Sequence, residues 1–204
     1  MSISRFLPEG VASEVARGDE AAEAAERHAC LLLVDIRGFS ALIQSRPSHE
    51  VIGDLMVFRR FVHEAVSRHN GIFDKYLGNG VLAVFLCGTP ERLAAQAFEA
   101  ACDPAPIGYL EEPRGRTIRC SRHYDTHCGF ALAGVFYDGE RAEFTALGPA
   151  MNALPRMERR SKEANIGVVM SKRFLCLLPP SIRTLIDTRP VERRPGDEQL
   201  PDIL

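Results

Sequence analysis

No stretch of this 204-residue chain approaches the ~20 consecutive apolar residues that a bilayer-spanning helix needs, and Met1 to Arg5 holds no basic stretch followed by an apolar run. A membrane span is therefore not expected, and the cytoplasm is the expected compartment. An excess of one charge is also missing. Lys and Arg number 25 against 27 Asp and Glu, a formal net charge of -2, which lacks the electrostatic footprint of a nucleic-acid or anionic-membrane binder. The six cysteines, Cys30, Cys87, Cys102, Cys120, Cys128 and Cys176, include no C-x-x-C pair and sit mostly in apolar runs. That pattern predicts buried free thiols in a reducing compartment, with neither zinc nor disulfides. Internal repeats and low-complexity segments are lacking too. What is present is an ordinary globular composition, 46% hydrophobic and 25% charged, in a chain long enough to bury one full core.

Residues 8 to 27 are Ala/Glu/Arg-rich and broken by Gly18, the composition of a lead-in helix and linker. The run from Ala29 to Asp35 is apolar until its last residue, the pattern of a strand buried on both faces that ends on a carboxylate. Val51, Leu55, Phe58, Val62 and Val66 recur at helical spacing and predict an amphipathic helix over residues 49–68. Residues 71–77 and 81–86 read as two strands joined at Gly78-Asn79-Gly80, with Asn-Gly as the turn signal. A helix over 90–102, a loop from Asp103 to Arg119, strands at 124–136 and 141–146, a helix over 149–163, a strand at 166–170 and a short helix near 172–178 follow. This order predicts an α+β domain with a mixed, mainly antiparallel sheet and helices packed on it. The expected divisions are a lead-in at 1–28, the domain proper at 29–188 and an irregular tail at 189–204.

Three blocks, taken together and in this order, carry a resemblance: Leu33-Val34-Asp35-Ile36-Arg37-Gly38-Phe39-Ser40, Phe73 through Phe85, and His127-Cys128-Gly129 continuing through Phe144-Thr145-Ala146-Leu147-Gly148 to Asn152 and Arg156. They resemble the class III adenylate and guanylate cyclases over roughly residues 6 to 178. The resemblance implies the ferredoxin-like-derived, palm-type fold of that family. It also implies a reaction in which the ribose 3'-hydroxyl of a nucleoside triphosphate attacks the α-phosphate and pyrophosphate leaves. Two Mg²⁺ or Mn²⁺ ions and a homodimer with composite sites at its interface come with it, a heterodimer being the variant.

Within that resemblance Asp35 and Asn79 stand at the metal positions, with the Ile36 carbonyl beside them, and Ile36, Gly38, Phe39 and Ser40 would offer backbone groups to metal and phosphates. Lys75 and Thr145 match the purine-reading pair. A lysine donor suits the N1 acceptor of adenine, whereas guanine carries a proton there, so ATP is favoured over GTP. Asn152 and Arg156, four apart on one helical face, match the transition-state pair. His127 reads as structural. Lys172, Arg173, Arg183, Arg189, Arg193 and Arg194 are the basic residues near the C-terminus from which a triphosphate ligand could come. Asn79 is the main departure, because the family places a second metal carboxylate there and an amide offers only a neutral oxygen. Asp74 is expected to face away from Lys75 along the strand, and Pro149 and Pro155 are further departures. The leading expectation is thus an adenylate cyclase; the alternative is an impaired cyclase-homology module that binds nucleotide or a partner subunit and regulates without turnover.

Overall fold

The computed structural model describes residues 24–103, 110–111, 117–118, 122–137, 140, 142–191, 197 and 200–204. The apolar run from Ala29 lies within strand β1 (Ala25–Ile36), which is buried without a break from Ala29 to its end. It starts four residues before the apolar run, because the long strand β6 (Arg122–Tyr137) pairs with it antiparallel all the way back, Ala25 opposite Ala133. The helical reading of residues 8–27 thus gives way to strand at Ala25, and residues 8–23 lie outside the described residues.

Strand alternation divides β1 between two cores. Cys30, Leu32, Val34 and Ile36 pack with Phe58, Val62, Val66 and Phe85 on one face. Ala29, Leu31 and Leu33 pack with Ala131, Ala146, Ala150 and Leu154 on the other. The first face is covered by helix α2 (Ser48–Arg68) and helix α3 (Pro90–Cys102), the second by helix α4 (Pro149–Ala164). Phe58 is fully buried, and a side chain of that size contributes about 1.5–3 kcal/mol by leaving water. α3 starts where expected because the Thr89 side chain accepts from the Arg92 N–H and Pro90 needs no N–H at the first helical position.

Strands β2 (Ile72–Leu77) and β3 (Gly80–Phe85) form the expected hairpin, and β7 (Ala142–Leu147) returns on β6. The sheet order is β2-β3-β1-β6-β7, with β8 (Val168–Met170) added parallel to the start of β6. The turn between β2 and β3 differs from the expected Asn-Gly pair. Leu77 pairs with Gly80, so the two central residues are Gly78, at φ 61, and Asn79. Glycine takes the positive φ that the first central position requires, and Gly80 begins the next strand.

A short helix not expected from the sequence, α1 (Phe39–Ser45), follows β1, and α5 (Lys172–Leu177) and α6 (Pro180–Arg183) close the domain. Within the segment read as a loop, β4 (Leu110–Glu111) and β5 (Thr117–Ile118) pair as a small ribbon; residues 104–109, 112–116 and 119 lie outside the described residues. The described tail has no regular element, yet it is docked. Met170 and Leu204 exchange backbone hydrogen bonds of 3.0 and 2.8 Å, and Leu200 and Ile203 bury against Met157 and Val169. No helix among the described residues is long and apolar enough to cross a membrane.

The cysteine expectation is overturned. Cys30 and Cys128 stand directly opposite each other on β1 and β6, their Cα atoms 4.2 Å apart, and are joined by a disulfide. They are 98 residues apart in sequence, and only strand register brings them together, which spacing along the chain does not reveal. Cys87, Cys102 and Cys176 are not disulfide-bonded but are exposed rather than buried, and Cys120 lies outside the described residues.

Candidate functional site

Asp35, the penultimate residue of β1, is 1% exposed and lies on the face covered by α4. Two side chains close on its carboxylate. The Asn79 amide nitrogen donates to Asp35 Oδ1 and, at 3.0 Å, to the Ile36 carbonyl. Both partners are acceptors without a hydrogen, so the nitrogen of Asn79 and not its oxygen faces them. Lys162, near the C-terminus of α4, brings its Nζ to 2.8 Å from Asp35 Oδ2, and Glu158, one turn earlier, pairs with the same ammonium. Burial alone would lower the Lys162 pKa, but hydrogen bonds with Asp35 and Glu158 outweigh it and hold the ammonium above the usual lysine value. Arg59 braces the turn that carries Asn79, donating to the Gly78 carbonyl at 2.8 Å while its guanidinium lies 3.8 Å over the Tyr76 ring.

The three expected metal ligands, Asp35, the Ile36 carbonyl and Asn79, therefore do come together. As a donor set they do not fit a pair of divalent ions. Such ions need several oxygen donors, more than one of them anionic. Here one carboxylate has both oxygens engaged, the carbonyl already accepts a hydrogen bond, and the amide turns its N–H₂ inward. Among the described residues no group of three or more His, Cys, Asp or Glu side chains is arranged to hold a metal ion. After Ile36 the chain turns through Gly38, whose φ of 73 suits glycine, into α1. Phe39 packs on the core and Ser40 is exposed; their N–H groups precede the first bonds of α1, which run from Ala41 and Leu42 to the Gly38 carbonyl.

Lys75 and Thr145, 70 residues apart, meet directly: Lys75 Nζ donates to Thr145 Oγ1 at 2.7 Å. Asp74 departs from expectation. The β2–β3 register shifts between Phe73 and Lys75, so Asp74 is the extra residue of a bulge and does not alternate away. Its carboxylate comes to 3.6 Å from Lys75 Nζ. Burial pushes its pKa up to about 6, against the opposing pull of Lys75 and Thr145. The folded chain thus binds this proton more tightly than the unfolded chain, so the associated stability is complete below the ordinary carboxylate pKa and is lost as pH rises through about 6. Asp74→Asn keeps an acceptor and removes the charge. It is expected to stabilise the fold at pH 7.5, on the order of 2 kcal/mol, and to have little effect near pH 4. Urea unfolding at the two pH values measures this, and an equal effect at both would contradict it.

Ala150, Ala153, Leu154, Met157, Arg160 and Ser161 form the buried stripe of α4, which leaves Asn152 and Arg156 together on its exposed side. Pro149 takes the first helical position, where its missing N–H costs nothing. Pro155 lies in the interior and removes one helical hydrogen bond, yet α4 continues past it to Ala164. His127 is buried, and burial, with Arg173 and His28 adding positive charge, lowers its pKa to about 4, so the ring is neutral at neutral pH. Of the C-terminal basic residues, Lys172, Arg173, Arg183 and Arg189 are exposed, and Arg193 and Arg194 lie outside the described residues.

Two features escaped the sequence reading. Lys162 is one; its only signal is Glu158 four residues before it, which reads as an ordinary surface pair. The other is a buried network just behind Asp35. Arg37 Nη2 donates to His123 Nδ1 at 3.0 Å and to the carbonyls of Ser161, at 3.2 Å, and Ile166. A guanidinium only donates, so Nδ1 is the acceptor and the ring hydrogen sits on Nε2. There Asp125 Oδ2, at 2.7 Å, and Ser161 Oγ, at 2.6 Å, both approach, and the Ser161 hydroxyl donates onward to the Glu158 carbonyl at 2.6 Å. Serine and carboxylate share one ring nitrogen, and His123, Asp125 and Ser161 are all buried. The group ties β6, α4 and the residue two beyond Asp35 into one unit; it does not have the serine and the acid on opposite ring nitrogens that a nucleophile relay uses.

No protein-family model matches the chain. Over 132 residues, 65% of the chain, it is 31% identical to the uncharacterized protein Rv1320c of Mycobacterium tuberculosis and 30% identical to Rv1318c of the same organism. The chain's matching region spans only about a quarter of the length of these relatives, 23% and 24%. Among solved structures it is similar to a bacterial light-regulated adenylyl cyclase, with a TM-score of 0.69 at 19% identity over 86% of this chain and 51% of that one. The adenylyl cyclase CyaB from P. aeruginosa superposes with a TM-score of 0.68 at 18% identity, covering 89% of this chain and 94% of the other. The guanylyl cyclase Cya2 gives 0.62 at 17% identity over 88% and 90%. The chain therefore has the α+β fold of adenylyl and guanylyl cyclase catalytic domains.

Proposed function

We propose that the chain serves the conversion of ATP to cyclic AMP and pyrophosphate, contributing the purine-reading and transition-state half of a composite site between two subunits. The observation that carries this is the 2.7 Å contact of Lys75 with Thr145, which sets an ammonium donor beside a hydroxyl at one point on the sheet. The ammonium would donate to adenine N1 and the hydroxyl oxygen would accept from the exocyclic amine. Asn152 would orient the ribose. Arg156 would offset the charge that grows on the α-phosphate as the 3'-oxygen bonds to it and the bond to pyrophosphate breaks. Both residues lie on an exposed helix face, which supports their use by a site completed by a second chain. Phe130, Leu132 and Leu147, on the sheet face opposite α4, are also exposed, which supports a partner against that face.

A second reading is favoured by the Asp35 corner. With Asn79 and Lys162 on its two oxygens, this chain's own acidic half is closed. That supports a regulatory module, or the partner of a chain that brings its own carboxylates, over a self-sufficient homodimer. Calorimetric titration with a non-cyclisable ATP analogue tests the purine reading. Lys75→Ala is expected to weaken binding at least about tenfold, the worth of one charge-assisted hydrogen bond. The GTP analogue is expected to bind less well to the wild type. Equal affinity of wild type and Lys75→Ala would remove the proposal, and cyclic AMP assays of the chain alone separate turnover from regulation.

A further inference from the structure

We infer that Lys162 is the resident cation of the Asp35 corner, an internal ammonium that a divalent ion must displace before it can reach the carboxylate. This rests on the reading of that corner as part of a nucleotide site. Asp35 is 1% exposed, and a carboxylate so deeply buried requires a compensating charge. Asn79 is neutral and offers only a hydrogen bond to Oδ1. The charge comes instead from Lys162, 2.8 Å from Oδ2, and Glu158 steers the same ammonium from behind. Arg37, two residues beyond Asp35, is committed to His123 and the Ser161 and Ile166 carbonyls and so does not fill this role.

The two substitution-like features explain each other. Once position 79 is an amide, Asp35 is the one carboxylate left among the three metal-position groups, and one monovalent ammonium, itself held by Glu158, matches it where two divalent ions would leave a large excess of positive charge. The Lys162 side chain is 44% exposed and lies on a flexible stem, so it can swing to solvent while still paired with Glu158. Occupation of the corner by an outside cation is then a competition with a tethered one.

Direct Mn²⁺ binding to the purified chain, followed by the electron paramagnetic resonance of the free ion, tests this without any turnover. Lys162→Met, which keeps the stem and removes the charge, is expected to bind Mn²⁺ at least about tenfold more tightly than the wild type. Its melting temperature should fall in chelator and recover in Mn²⁺, and adding Asp35→Asn should abolish the tighter binding. Lys162→Arg keeps the charge and should behave as the wild type, which preserves the test if the Met variant folds poorly without metal. Equal Mn²⁺ affinity in wild type and Lys162→Met, tight binding that survives Asp35→Asn, or tight binding by Lys162→Arg would each overturn the inference. ATP-analogue binding measured on the same proteins keeps the two ideas apart. Its absence from the wild type ends the purine reading and leaves the Mn²⁺ comparison intact, while a null Mn²⁺ comparison with sound analogue binding removes only the role of Lys162.

Discussion

Asn79→Asp is expected to lower the melting temperature of the chain by about 10 °C in chelator and to recover most of that loss in millimolar Mn²⁺. The aspartate replaces a donor that serves Asp35 and the Ile36 carbonyl with an acceptor that serves neither. One hydrogen bond to a charged group contributes about 1.5–3 kcal/mol, and two carboxylates then face each other at a buried position, so a total near 3 kcal/mol is reasonable. For a domain of this size each kcal/mol moves the midpoint by about 2–4 °C. Lys162 limits the loss because its ammonium can lie between two acids as well as beside one. With Mn²⁺ present, the same change creates what the wild type lacks: two anionic side chains and a carbonyl around one point, a set that hard divalent ions favour. Differential scanning fluorimetry of wild type and variant, with chelator and with Mn²⁺, measures this. An unchanged midpoint in chelator would mean that the Asn79 amide does not hold Asp35 as described.

Much of this corner is legible in the sequence. An apolar run that ends abruptly on an acid gave away a doubly buried strand with Asp35 at its tip, because burial on both faces leaves no period-two pattern to blur the boundary. The hairpin that delivers Asn79 announced itself through its glycines, although the register makes Gly78 and Asn79 the central pair and not Asn79 and Gly80. Lys75 and Thr145 could be paired on paper only by resemblance, since nothing local links residues on two different strands; the sheet brings them to 2.7 Å. For Asp74 and the Cys30–Cys128 pair, what the sequence hides is register and long-range contact. A bulge turned Asp74 toward Lys75, and strand pairing joined Cys30 to Cys128. Lys162 gave no sign in the sequence, because helical spacing shows which residues share a face but not which of them overhang a neighbouring strand.

The largest loss of stability is expected from His123→Phe, about 3–5 kcal/mol in denaturant unfolding at neutral pH. Phenylalanine fills the space of the imidazole but neither accepts from Arg37 nor donates to Asp125, so a guanidinium and a fully buried carboxylate each lose a partner, which is the costly way to break a buried charged network. Asp125→Asn makes the discriminating comparison. Burial already pushes the Asp125 pKa up against the pull of its His123 hydrogen bond, so the fold holds this charge at some expense. An asparagine there still accepts from Nε2, and its effect on stability should be small or even favourable. The network also fixes Arg37, and with it the backbone that presents Asp35 and Ile36. His123→Phe should therefore change Mn²⁺ binding in a Lys162→Met background while leaving the proposed preference for the ATP over the GTP analogue, assigned to Lys75 and Thr145, as it was. A loss of purine preference with unchanged Mn²⁺ binding would show that the network supports the other half of the site.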